Sequence, residues 1–198
     1  MNARKALFCI LALLMGGCLP VMSLHPLYTE DTTVFKEKLL GTWTADPNKP
    51  GSWQFTRAED EDKAYKLIIH DQDSNKGSFT ARLVKLDCQY FLDIYPDEFP
   101  CDLEDPNQTD WAYNSIFMIP THTFLKVDCF VPNVELRLTQ DEPLRNLLED
   151  KPGTVDFVTV KDRTVLTSNT KQLQQFVLKY ADDERLFPDE MILHPVKE

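Results

Sequence analysis

Residues able to do chemistry are scattered along this chain. The histidines stand alone at His25, His70, His122 and His194, with no pair at metal-ligand spacing and no two cysteines separated by two residues, so a structural zinc site is not expected. Asp71, Asp73 and Asn75 have the spacing of a calcium loop. The glycine comes one place late, at Gly77, and Arg82 stands where a bidentate glutamate would close the site, so a hairpin turn is the simpler reading. Glu59, Asp60, Glu61 and Asp62 could be offered as an acid–base pair, but four adjacent acids in a polar link read as a solvated turn. There is no nucleophile elbow, P-loop or dinucleotide fingerprint, and six glycines are too few to hide one. His122, near Pro120, reads as a polar group at a barrel mouth or, more simply, as a satisfied strand residue. The sequence therefore leads us to expect no enzyme activity, no cofactor and no metal.

The one covalent chemistry that the spacing suggests is at Cys18. Arg4 and Lys5 precede an apolar run, Ala6 to Met15, which is too short to span a bilayer as a helix. Leu14-Met15-Gly16-Gly17-Cys18 resembles a bacterial lipobox, at whose cysteine the leader is cut and the thiol acylated. Several buried acyl chains, at about 0.8 kcal/mol per CH₂, would make such anchoring stable. Leu19, where an aspartate would imply inner-membrane retention, points to the outer membrane. The expected organisation is a leader over 1–17, a tether over 18–33 and one domain over 34–198. Without the leader the chain keeps 19 basic and 32 acidic residues, a net charge of −13. Phosphate contacts need Lys and Arg, so nucleic acid is not an expected partner.

Three cysteines remain in the domain, Cys88, Cys101 and Cys129. Cys88 and Cys129 each follow a Lys-apolar-Asp triplet where one strand turns into the next. Hairpin turns two apart share an end of a barrel, so a Cys88–Cys129 disulfide is one expectation. Three free buried thiols are the equal alternative, because sequence does not fix connectivity.

The elements that must position these residues are mostly strands. Gly41-Thr42-Trp43 comes first: the glycine allows a turn or close approach, and the tryptophan can plug one barrel end. Trp53 and Phe55, then Tyr65, Leu67 and Ile69, then Phe79, Ala81 and Leu83 alternate with mostly polar residues, which predicts half-buried antiparallel strands. Gln89 to Tyr95 and Val134 to Leu138 continue the series, and Pro120 predicts a bulge or edge within 115–127. A long acidic loop covers 96–110. Asp141 with Pro143 predicts a helix start, with Leu144, Leu147 and Leu148 on one face. Val155 to Val165 predicts a hairpin. A second helix is expected over about 170–180, with Leu173, Phe176 and Val177 packed on the barrel wall and Asn169 with Gln172 in a capping box.

Phe35, Gly41 and Trp43 in a Phe-x₅-Gly-x-Trp opening, eight or nine strands and the late helix resemble the lipocalins or wider calycin barrels. Thr109-Asp110-Trp111 echoes a Thr-Asp-Tyr motif of that family, and Arg163 is the one counterpart of its late arginine. The chain also resembles an uncharacterised family of bacterial lipoproteins, which implies no activity. The expected fold is a mainly β, antiparallel up-and-down barrel with two short helices towards the C-terminus. The resemblance implies a small apolar ligand in the barrel, lined by Trp53, Phe55, Tyr65, Leu67 and Phe79, with membrane attachment through Cys18. The alternative from another class is a cavity-free module that docks an envelope protein partner.

Overall fold

The structure, a computed structural model, describes residues 20–73, 75–97, 118–161 and 163–196. The stretch expected to be a leader, Cys18, Cys101, the Thr109–Trp111 motif and most of the acidic loop lie outside the described residues.

Strands β1 (Met22–Ser23) and β2 (Thr33–Val34) come first, then a 3₁₀ turn (Glu37–Leu39). A meander follows: β3 (Gly41–Thr44), β4 (Ser52–Arg57), β5 (Ala64–His70), β6 (Lys76–Leu86), β7 (Gln89–Pro96), β8 (Thr123–Cys129) and β9 (Val134–Leu138). Helix α1 (Asp141–Asp150), strands β10 (Phe157–Val160) and β11 (Arg163–Leu166), and helix α2 (Thr170–Lys179) precede the last strand, β12 (Asp189–Pro195). Eight strands, in the order β6-β5-β4-β3-β12-β9-β8-β7, close into an antiparallel barrel through a β6–β7 pairing, and β2 is added outside β6. Strands β1, β11 and β10 form a separate small sheet.

The alternation seen in sequence sorts side chains into two cores. Trp43, Trp53, Phe55, Tyr65, Leu67, Leu83, Leu92, Leu125 and Leu136 point inward and form one continuous cluster inside the barrel. Their neighbours Val84, Phe91 and Phe124 point outward and meet Leu144, Leu147, Leu173, Phe176 and Val177 of the two helices. The wall over β6–β8 is thus apolar on both faces, and the helices exist to cover it. Each of these fully buried side chains is worth about 1.5–3 kcal/mol. In α2 the Asn169 side chain accepts from the Gln172 amide at 3.1 Å, as the cap pattern predicts. In α1 the cap position is Gln140, with no side-chain cap. Asp141 is already helical, and its carboxylate instead accepts from the Thr164 amide at 2.5 Å, tying α1 to β11.

Gly41 has φ +124°, a conformation that strains any residue with a Cβ. Two residues on, the Trp43 indole is buried, and its Nε1 donates to the Leu39 carbonyl at 2.9 Å. The plug therefore ties the 3₁₀ turn to the barrel end.

Within the stretch expected to be a tether, Val21 and Leu27 are fully buried and β1 pairs with β11, because an apolar segment beside a half-covered wall is stabilised by docking on it. The barrel is completed by β12, a strand that sequence reasoning did not assign, which pairs with both β3 and β9. Of the stretch where a bulge or edge is expected, 115–117 lie outside the described residues, and the register shift seen in β8 is between Val127 and Cys129.

Candidate functional site

The expected ligand site is the barrel interior. Phe55, Tyr65 and Leu67 are buried there, as is all but the edge of Trp53, while Phe79 is half-buried at the margin of the cluster. Phe55 meets Trp53 at 6.3 Å between ring centroids and Tyr65 edge-on at 6.1 Å. Phe35 stacks on the other face of this group, 4.5 Å from the Tyr65 ring. The Tyr65 hydroxyl accepts from the Lys36 amide at 2.7 Å and donates to the Lys36 carbonyl at 3.0 Å. Phe55, Tyr65, Leu67 and Phe79 line none of the clefts described below. Trp53 does line one: a cleft of about 170 Å³ at the barrel mouth, with Thr44, Pro50, Gly51 and Asp71. Its buried Nε1 has no hydrogen-bond partner among the described residues.

Burial pushes the Tyr65 phenol up to about 12, against the pull of its Lys36 hydrogen bond and of nearby Arg57. The unfolded chain loses this proton near pH 10. Between about pH 10 and 12 the folded state therefore holds a proton that the unfolded state has released, and stability falls as pH rises through that window. Tyr65→Phe should flatten this alkaline limb in urea titrations at successive pH values.

The most elaborate polar arrangement is on the outer wall. The β6–β7 register sets Arg82 opposite Asp93 and Thr80 opposite Tyr95, all on the face that the helices leave uncovered. Asp93 is buried, and its two carboxylate oxygens are both used: Oδ1 faces Nδ1 of buried His122 at 2.7 Å, and Oδ2 accepts from the Leu27 amide at 2.7 Å. Against an ionised carboxylate, which only accepts, Nδ1 is the donor of this contact. Ser23 and His122 exchange two backbone hydrogen bonds, each 2.9 Å. Tyr95 packs on the imidazole at 4.5 Å between ring centroids and Tyr28 meets its edge at 6.2 Å. Arg82 lies over the Tyr28 ring and is paired with Glu61. Tyr28, Glu61, Thr80, Arg82, Asp93 and Tyr95 border a cleft of about 310 Å³. At its rim, burial pushes the Asp97 carboxyl up, but hydrogen bonds from Lys66, Ser78 and Thr80 outweigh it and hold the group below the usual range. The arrangement fixes an imidazole and joins the N-terminal segment to the wall.

Asp93 was not singled out by sequence reasoning, although a signal existed. It is a lone carboxylate in an otherwise apolar strand, flanked by Phe91, Leu92 and Ile94, and a buried carboxylate demands a partner. His122 is indeed a satisfied residue, but on the wall.

The third place is an open cleft of about 500 Å³ at the opposite barrel end, bordered by Lys36, Cys88, Tyr90, Cys129 and Phe130. Lys36 sits over the Tyr90 and Phe130 rings at 4.6 and 5.2 Å. The topology does bring Cys88 and Cys129 to one barrel end, but they are not bonded: both are free thiols. Cys88 is exposed in the β6–β7 turn after Asp87, whose φ is +50°, and Cys129 donates to the Val131 carbonyl at 3.1 Å. The turn and the bulge take the two side chains off the ladder that would oppose them. Asp71 caps a hairpin turn, accepting from the Asp73 and Asn75 amides. No cluster of three metal-ligating side chains occurs among the described residues, and none of their helices is long and apolar enough to cross a membrane.

No family model matches the chain, and neither curated proteins nor solved structures yield a match.

Proposed function

We propose that the mature chain is held by an acylated Cys18 to the periplasmic face of a bacterial outer membrane, and that its barrel is a filled scaffold for docking a partner protein. The observation that supports a scaffold over a carrier is the interior cluster. Trp53, Phe55, Tyr65 and Leu67 spend their surface on one another, as the core of a small barrel does. A net charge of −13 after the leader suits a basic partner. A second reading, the carrier of a small apolar molecule, keeps one observation in its favour. The unpartnered Trp53 Nε1 at the 170 Å³ mouth would suit a mainly apolar molecule with a single acceptor.

The anchor is tested by Cys18→Ser. The variant should move from the membrane fraction to the soluble fraction of fractionated cells; continued membrane association would refute acylation as the means of attachment.

A further inference from the structure

The small sheet presents an anomaly. In β10, Phe157, Val158 and Val160 are 39%, 47% and 57% exposed, so both faces of the strand are wet. One edge pairs with β11 and the other pairs with no described strand. An uncharged, apolar, open edge is an aggregation hazard when it faces water. Its hairpin partner β11 is ordinary by comparison, with Thr164 and Leu166 buried.

We propose that the β10–β11 arm lies in the headgroup layer of the same bilayer that holds Cys18; this rests on the anchoring proposed above. Chain length supplies the occupant. Four residues carry the chain from Cys18 to Met22, and they span at most about 14 Å when fully extended. Met22 and Ser23 pair with Val165 and Leu166, and β10 is the next strand, two strand spacings or about 10 Å from β1. The acylated end of the chain thus brings the bilayer to this sheet. Leu24, 40% exposed and bonded through its amide to Leu166, extends the apolar surface of the small sheet at the other end of β1. Lys161 and Arg163 at the hairpin flank Asp162 and leave a net positive tip for lipid phosphates. The free edge still carries backbone N–H and C=O groups, which hydrocarbon would leave unsatisfied. The arm therefore rests at headgroup depth, where water and phosphate satisfy them.

The test uses the lipidated full chain reconstituted in phosphatidylethanolamine–phosphatidylglycerol vesicles. A fraction of the phosphatidylglycerol carries a diazirine near the acyl carbonyl, and after photolysis one digest is mapped by mass spectrometry. Val131 is the internal control: it is 53% exposed and stands beyond the far end of β8 from His122, which bridges to Ser23. The proposal expects acylated Cys18 together with lipid adducts on Phe157–Val160 severalfold above those on Val131. It also expects a severalfold loss of those adducts in Val158→Asp/Val160→Asp with Cys18 still acylated. Acylated Cys18 without β10 enrichment overturns the inference and leaves the anchor standing. Unmodified Cys18 overturns both.

Discussion

Phe55→Ala will lower the stability of the fold by about 3–5 kcal/mol, the range for deleting a buried aromatic from a packed core. Phe55 is 1% exposed and stands between Trp53 and Tyr65, both of which its ring touches. Cross-strand, it lies opposite Gly41 on one side and Leu67 on the other. Removing the ring leaves a void that the strands cannot close without breaking the β3–β4–β5 ladders. For a domain of this size each kcal/mol shifts the melting temperature by roughly 2–4 °C, so thermal and urea denaturation both read the effect. In a barrel built to hold a ligand, the same truncation would enlarge an existing cavity and cost far less. A loss below about 1 kcal/mol would therefore count against the scaffold reading.

Asp93→Ala is expected to cost about 2–6 kcal/mol, the penalty for leaving two buried donors without their acceptor. The substitution deserts two buried donors at once, His122 Nδ1 and the Leu27 amide, and each unsatisfied group costs about 1–3 kcal/mol. The effect should also be local. Leu27 and Val21 anchor the N-terminal segment on the wall, and Ser23 bonds to His122, so amide exchange should rise first around residues 21–28 and 122. Unchanged exchange there, or a loss spread evenly over the barrel strands, would show that the pair does not hold this segment.

The barrel strands were legible because their signal is local. Period-two alternation through Trp53, Phe55, Tyr65, Leu67, Ala81 and Leu83 assigns both strand and inward face before any partner is known. The α2 cap was legible for the same reason, since Asn169 and Gln172 sit within one turn. What could not be read depends on partners distant in sequence. Strand β12 has usable alternation in Met191 and Leu193, but its place between β3 and β9 is set by ladders to residues some 50 and 150 positions away. Strand β1 is two residues long, and only its pairing with β11 and its bridge to His122 distinguish it from a tether. The wall cluster was illegible for a related reason. Asp93 and His122 are 29 residues apart and Leu27 is 66 from Asp93, so no spacing rule joins them. The thiols show the opposite limit: topology gave their shared barrel end, but a one-residue bulge and a positive-φ turn decided that they stay apart.

The scaffold reading turns on whether anything besides side chains occupies the barrel. Native mass spectrometry of the gently purified chain asks this directly. The account predicts the mass of the polypeptide with the acyl groups proposed for Cys18 and nothing more. A stoichiometric small-molecule adduct that survives gentle activation, and is lost in a variant that blocks the mouth at Trp53, would contradict it and return the carrier reading.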